Sequence, residues 1–464
     1  MSSRAEGRLP GSFRDPAGFV FQTDGTFYRQ VNRSYATTFD ALMRSGLYEK
    51  LAAQGLLIPH EDADPGLAPE PDAFAVIKPE QLGFVSYPFE WSFSQLKDAA
   101  LTTLQVQRQA LSYGLSLKDA SAYNMQLHDG RPTLIDTLSF EPYEPGLPWV
   151  GYRQFCQQFL APLALMAYRD VRLGTLLQGH LDGLPLDLAV RLLPWRTRLR
   201  PGLLMHLHLH SRAQTRHADS PQDREGLKGR MNRRRLDAVL ESLASTIRKL
   251  TWNPGDTPWA SYGDQSSYSE AGQADKERLV AEYLAMVDAE SVWDLGGNVG
   301  IFSRIAAARD VPVVSIDSDP GAIDLNYRRM AERGERNLYP LVADLTSPSP
   351  ALGWDNREVR SLTERGPAGL VMGLALIHHL AISNNTRFEQ VAEFLASLGR
   401  SLLIEFVPPD DPMVRRLLAM RNHTFPWYTQ EAFETAFKQF FRVQRTDLIM
   451  DSQRLLYLMT RRHE

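Results

Sequence analysis

Val292-Trp293-Asp294-Leu295-Gly296-Gly297-Asn298-Val299-Gly300 runs directly into Ile301-Phe302-Ser303-Arg304-Ile305. An apolar run carrying an acid, three glycines within five positions, and then apolar residues at helical spacing predict strand, tight turn, helix. Glycine lets a backbone approach a ligand with no side chain between them, and the first turn of the following helix offers unpaired N–H groups. The stretch therefore predicts a site for a nucleotide-like ligand.

Working outward, strands and helices alternate. After the strand Val292–Leu295 and its helix come a strand at Val311–Asp317, a helix at about Gly321–Arg333 and a strand near Tyr339–Ala343. A strand-like run at Leu370–Ala375, a helix, the strand Ser401–Val407, a helix at Glu431–Gln439 and two β runs, Phe441–Leu448 and Arg454–Met459, complete the series. Five parallel-type units closed by a hairpin predict an α/β fold with a doubly wound, mainly parallel, seven-stranded sheet. A dinucleotide fingerprint needs glycine where Asn298 stands, and no glycine sits where the helix must approach the strand closely, so NAD is disfavoured. Asp317, at the end of the second strand, is placed to accept hydrogen bonds from two ribose hydroxyls. Asp344, ending the third, is placed to reach an adenine amino group. Asp294 would repel a pyrophosphate but suits a ligand carrying an ammonium group.

Asp294-Leu295-Gly296-Gly297-Asn298-Val299-Gly300, Asp317, Ala343-Asp344 and the closing hairpin together resemble a Rossmann-like class I S-adenosylmethionine-dependent methyltransferase, over about residues 256–464. The resemblance implies that Asp294, Gly296, Gly297, Asn298 and Gly300 surround the methionine part of the cofactor. It also implies that Asp317 with Ser318 holds ribose, and that Asp344 with Leu345 meets adenine. Asn298 departs from the commonest form of the turn and leaves the detail of that backbone contact open.

Methyl transfer from a sulfonium is an in-line displacement. The protein has to align a nucleophile and, for a hydroxyl acceptor, take its proton. His378 and His379 follow the fourth strand, where one imidazole could serve as base; the other reading is that both pack against the cofactor's edge or cap a helix. Glu405 at the end of the fifth strand, and His423 with Trp427 and Tyr428, are further substrate-facing candidates. Tyr262 and Tyr268 lie in an aromatic, turn-rich segment before the domain's first helix, read as a flap over the pocket or as an interdomain brace. Cytosine C5 chemistry needs a thiol, and Cys156 lies outside this domain. The Asp/Asn-Pro-Pro-aromatic motif of amino-methylating nucleic-acid enzymes is absent after the fourth strand, since Val407-Pro408-Pro409-Asp410 comes one strand late. A small-molecule or protein acceptor is favoured over nucleic acid, and hydroxyl and amine acceptors both stay open.

A chain of 464 residues exceeds one ordinary domain. Residues 1–211 predict an α+β domain. It opens with a hairpin through Asp24-Gly25, continues with a helix over Phe39–Leu56, a loop over Asp62–Asp72 and a strand at Phe74–Ile77, and reaches a long helix from about Phe93 to Tyr113. Asp119, Asn124 five residues on, a short hairpin through Asp129-Gly130 and then Asp136 resemble the catalytic-loop region of the kinase-like fold. That resemblance implies Asp119 as proton acceptor and Asn124 and Asp136 as magnesium-nucleotide ligands. Leu117-Lys118 replaces the family's His-Arg, no glycine-rich phosphate loop precedes it, and Lys78 is poorly placed as a nucleotide lysine. The competing reading is a structural loop and hairpin, the domain then serving substrate or partner recognition; the alternative for the whole chain is a regulatory protein whose kinase-like module binds nucleotide or a partner. His206, His208 and His210 alternate as on one strand face, but in a Leu-rich setting with no second ligand cluster they read as partly buried polar residues, and no metal is expected. Residues 212–255 read as a basic linker leading to a helix over Leu236–Leu250. A net charge of −4, one cysteine and no long apolar run predict a cytoplasmic protein without a membrane span; oligomeric state stays open.

Overall fold

A computed structural model of the chain describes residues 7–216, 231–254, 268–419 and 424–462. The chain divides into two compact units: Met1–Trp252 with Leu352–Val359, and Asn253–Ala351 with Arg360–Glu464.

In the first unit, β1 (Gly18–Thr23) and β2 (Thr26–Asn32) form the expected hairpin, with Asp24 and Gly25 at φ 49° and 77°. With β3 (His60–Ala63) and β4 (Ala73–Pro79) they make an antiparallel sheet in the order β1-β2-β4-β3. Two expectations need correction. The single helix over Phe39–Leu56 is two helices, Ala36–Arg44 and Leu47–Ala53, because Gly46 turns the chain at φ 79°. The loop over Asp62–Asp72 begins inside β3, whose polar His-Glu-Asp-Ala sequence is that of a part-exposed edge strand rather than an apolar one. The helix Phe93–Ser112 starts from a reciprocal cap, in which Ser92 accepts the Gln95 N–H and the Gln95 side chain accepts the Ser92 N–H at 2.8 Å. Its buried stripe, including Leu96, Leu104 and Leu111, joins Phe155, Phe159, Leu240 and Leu243 in one core. Between them run β5 (Leu115–Leu117), the hairpin β6 (Met125–His128) and β7 (Arg131–Leu134), and β8 (Phe140–Pro142). The helix Arg233–Arg248 belongs to this unit. His206 and His208 lie on a π-helical turn, Leu204–Leu209, and not on a strand face.

The second unit contains β9 (Val292–Leu295), β10 (Val313–Asp317), β11 (Leu338–Val342), β12 (Ala368–Gly373), β13 (Gly399–Phe406), β14 (Phe441–Leu448) and β15 (Leu455–Arg461). Its seven strands are ordered β11-β10-β9-β12-β13-β15-β14. The first five in sequence pair in parallel, while β15 runs antiparallel to both β13 and β14. Every residue of β9 is buried, as a central parallel strand covered on both faces requires. Trp293 pairs with Val314 on one side and Val371 on the other. From β9 the chain builds outward through β10 and β11 on one side, then returns to build β12 and β13 on the other. The strand order thus reverses at β9, and the crevice at the carboxyl ends of β9 and β12 is where such sheets bind ligands. The α/β expectation of a doubly wound, seven-stranded sheet closed by a hairpin agrees with this topology.

Candidate cofactor site

The turn after β9 places Gly296, Asn298 and Gly300 at φ 79°, 48° and 80°. Three left-handed residues in five positions suit glycine and asparagine, the residues that adopt this region most readily. Gly297 is required for a different reason: a Cβ there would collide with Ser315 Oγ on β10 and stand 3.1 Å from the Asp294 carboxylate. The turn is packed directly onto the strands below it.

Beneath it lies a buried polar chain. Ser303, on the helix Ile301–Ala307, donates to Asp294 at 2.6 Å and lies 2.9 Å from the Ser315 hydroxyl, which accepts from Asn326 Nδ2 at 3.0 Å. Asp294 is 2% exposed, and burial pushes its carboxyl up to about 6 against the pull of the Ser303 hydrogen bond. At the tip of β10, Asp317 accepts the Asn298 N–H at 3.0 Å and the Asp319 N–H at 2.9 Å. Burial raises its pKa, and these backbone N–H groups oppose the rise. The structure therefore brings the β10 acid onto the glycine turn, with Ser318 exposed beside it. Asp344 is exposed after β11, and its Oδ1 accepts from the Thr346 N–H at 2.8 Å and hydroxyl at 2.7 Å; Leu345 is half-buried.

Beyond β12, His378 is 1% exposed, and neither ring nitrogen has a hydrogen-bond partner among the described residues. Its ring lies 4.2 Å from that of His379. Burial, then the neighbouring His379, lowers its pKa well below the ordinary imidazole value, and burial alone lowers that of His379.

Glu405 is not the substrate-facing acid expected from its position. It is wholly buried at the end of β13, and its carboxylate is spent on the protein. Oε2 meets Lys276 Nζ at 2.6 Å and accepts the Ala375 N–H at 3.0 Å; Oε1 meets Arg454 at 3.2 Å and accepts from the Tyr268 hydroxyl. Burial acts to raise its pKa, but Lys276 and Arg454 outweigh that and hold it at about 2. Arg454 also makes a two-pronged pair with Asp411, at 2.7 and 3.1 Å. Tyr268 likewise faces this cluster, with Arg454 over its ring at 4.6 Å. Tyr428 is core, its hydroxyl bonded to the Val407 carbonyl at 2.8 Å. Tyr262 and His423, like most of the aromatic segment read as a flap or brace, lie outside the described residues.

Sequence reasoning missed Lys276 and Arg454. Lys276 had a legible signal: on the helix Glu270–Ala285 it shares the buried stripe of Gly272, Leu279, Val280 and Tyr283, so its spacing marks a core position.

In the first unit, Asp119 accepts from Gln154 at 2.7 Å and from the Ser121 N–H at 3.0 Å, and burial followed by the neighbouring Asp136 raises its pKa. Asn124 donates to Ser139 at 3.3 Å. Asp136 pairs with Arg29 of β2 at 2.7 Å and accepts from Ser139 at 2.6 Å, so its charge is already matched. Lys78 is exposed on β4. His206 is hydrogen-bonded through both nitrogens, to Tyr152 at 2.8 Å and Ser242 at 2.9 Å. Among the described residues no group of three or more His, Cys, Asp or Glu is arranged to hold a metal.

No protein-family model matches the chain. Among solved structures it is similar to the N-methyltransferase NodS of Bradyrhizobium japonicum WM9, at 12% identity over 42% of this chain and 99% of that one, with a TM-score of 0.31. It is also similar to the magnesium protoporphyrin IX methyltransferase ChlM of Synechocystis PCC 6803 with bound SAM, at 17% identity over 41% and 80% of the two chains and a TM-score of 0.30. The bifunctional kinase-methyltransferase WbdD matches at 17% identity over 43% and 41%, with a TM-score of 0.30. Along nearly its whole length the chain is 36% identical to the nodulation protein NoeA of Rhizobium meliloti (strain 1021), covering 98% of this chain and 96% of that one. Identity at that level across both chains makes this protein a member of the NoeA family.

Proposed function

We propose that the chain is an S-adenosylmethionine-dependent methyltransferase whose cofactor site lies within residues 256–464. The observation that carries the reading is the convergence of the left-handed turn Gly296–Gly300 and the Asp317 carboxylate at the point where the sheet order reverses. Gly297 leaves no room for a side chain between turn and strand, and Asp317, one to two bonds short of its full acceptor capacity, suits a pair of ribose hydroxyls. Asp344 and Leu345 would meet the adenine, with Ser318 beside the ribose. Asp294 adds negative charge beneath the turn, complementary to a cationic methionine moiety.

Bound there, the cofactor supplies an electrophilic methyl group. The chain's own work is alignment and proton removal. His378 supports this reading: a buried imidazole held neutral, with neither ring nitrogen partnered among the described residues, would take a hydrogen bond, or a proton, from an acceptor hydroxyl or amine. Glu405, Lys276 and Arg454 act one step back. By binding the N–H of Ala375, a left-handed residue at φ 49°, Glu405 fixes the loop that carries His378. A small-molecule acceptor is the reading we favour, with a protein acceptor as the other. The first unit would recognise substrate or partner.

The relative's name supports a role in nodulation. Mass-spectrometric comparison of small-molecule extracts from the host cell with and without the gene tests the proposal. A species heavier by one methyl substitution, present only with the wild-type chain and absent with Asp317→Ala, is expected; identical extracts, with nodulation unchanged, would contradict it.

A further inference from the structure

The first unit carries a surface that the methyltransferase reading does not use. Four of the fourteen large apolar side chains exposed among the described residues fall within fifteen positions: Trp195 at 72%, Leu199 at 69%, Met205 at 42% and Leu209 at 48% exposure. Isolated exposed apolar residues are normal on any protein, but a concentration of this kind marks an interaction surface. The same region is cationic. From Leu188 to Ala218 the sequence has six arginines and no acid, in a chain whose net charge is −4. Arg196, Arg198, Arg200 and Arg212 are exposed, and none has an ion-pair partner among the described residues.

The two segments are held together. Thr197, wholly buried, lies in the short helix Trp195–Leu199, and its hydroxyl stands 2.9 Å from His208 Nε2 on the turn Leu204–Leu209. The same hydroxyl donates to the Pro194 carbonyl at 2.7 Å. Trp195 and Leu199 therefore flank an anchored residue, and Met205 and Leu209, four apart, flank its partner. Arg198 from one segment and Arg212 from just beyond the other are both near enough to the His208 ring to disfavour its charged form, after burial.

We propose that this patch docks the protein on an anionic lipid bilayer surface. The occupant follows from the combination of features. Exposed arginines with no ion-pair partner among the described residues call for a dense negative field, and a tryptophan among aliphatic side chains matches the boundary between headgroups and acyl chains. No helix among the described residues is long and apolar enough to cross a membrane, so the association is peripheral.

Co-sedimentation of the full chain with phosphatidylcholine vesicles, and with vesicles of phosphatidylcholine and phosphatidylglycerol, tests this. Binding to the anionic vesicles only, weakened by salt, is expected. Trp195→Ser/Leu199→Ser should lower the affinity at least tenfold, and Arg196→Glu/Arg200→Glu should lower it by a similar factor or more. All four side chains are exposed, so both double variants keep the fold, to be checked by an unchanged thermal midpoint. Absence of binding by the wild type, equal binding to neutral vesicles, or full retention by Trp195→Ser/Leu199→Ser would each overturn the proposal. So would displacement from anionic vesicles by a single-stranded oligonucleotide that binds the Trp195→Ser/Leu199→Ser variant as tightly as wild type, since that would make the patch a nucleic-acid surface.

Discussion

Asp294 shows how one buried carboxyl is tied to both stability and the site. Its folded pKa of about 6 lies above the ordinary value of 3.8, so the folded state favours its protonated form. The sign follows: its contribution is fully present below the ordinary value and is lost as pH rises through about 6. A shift of that size corresponds to about 3 kcal/mol. Urea denaturation of wild type and Asp294→Asn between about pH 4 and pH 7 should therefore show the wild type losing about 2 kcal/mol, most of that shift, relative to the variant across that range. A pH-independent gap would show that burial does not hold the proton. At this scale the sequence was readable where one residue type has one use: Asp24-Gly25 and Asp129-Gly130 mark hairpins because few residues accept a left-handed backbone. It misled at Glu405, where position at a strand end suggested contact with a ligand. Its partners come from residues more than a hundred positions before it and about fifty after, and no local pattern shows that pairing.

Among the elements, the loop after β12, the strand β13 and the helix Glu270–Ala285 are joined by that same carboxylate. Removing its charge in Glu405→Gln leaves Lys276 and Arg454 buried with less than their matching charge, a change expected to cost about 3 to 5 kcal/mol. Here the folded pKa, about 2, lies below the ordinary 4.5, so the contribution is present above the ordinary value and is lost only as pH falls toward 2. The gap in thermal midpoint between wild type and Glu405→Gln should thus be large and flat from about pH 5 to pH 8; a gap that closes within that range would contradict the ion-pair assignment. The strands and helices of this unit were legible because parallel strands buried on both faces read as short apolar runs and the helices between them as amphipathic ones. In the first unit β3 was hidden, since an edge strand with polar residues has no apolar signature, and the break at Gly46 was masked by apolar residues at helical spacing on both sides of it.

Over the whole molecule, each unit has its own polar centre. That of the first is closed on itself: Asp136 is matched by Arg29, and Asp119 is held by Gln154. Breaking the pair in Asp136→Ala leaves Arg29 uncompensated and should cost about 3 kcal/mol of stability, read as a lower thermal midpoint. Affinity for S-adenosylmethionine should stay within about twofold of wild type, because the partners of Asp136, Arg29 and Ser139, belong to the first unit. Magnesium-dependent ATP binding by the wild type that is lost in this variant would instead make the first unit a nucleotide site. The central claim rests on the second unit, and the most direct test is calorimetric titration of the full chain with S-adenosylmethionine, for wild type and Asp317→Ala. Binding by the wild type and a loss of at least tenfold in the variant, about 1.4 kcal/mol or more, is the predicted result; no binding by the wild type, or equal affinity in both proteins, would contradict it.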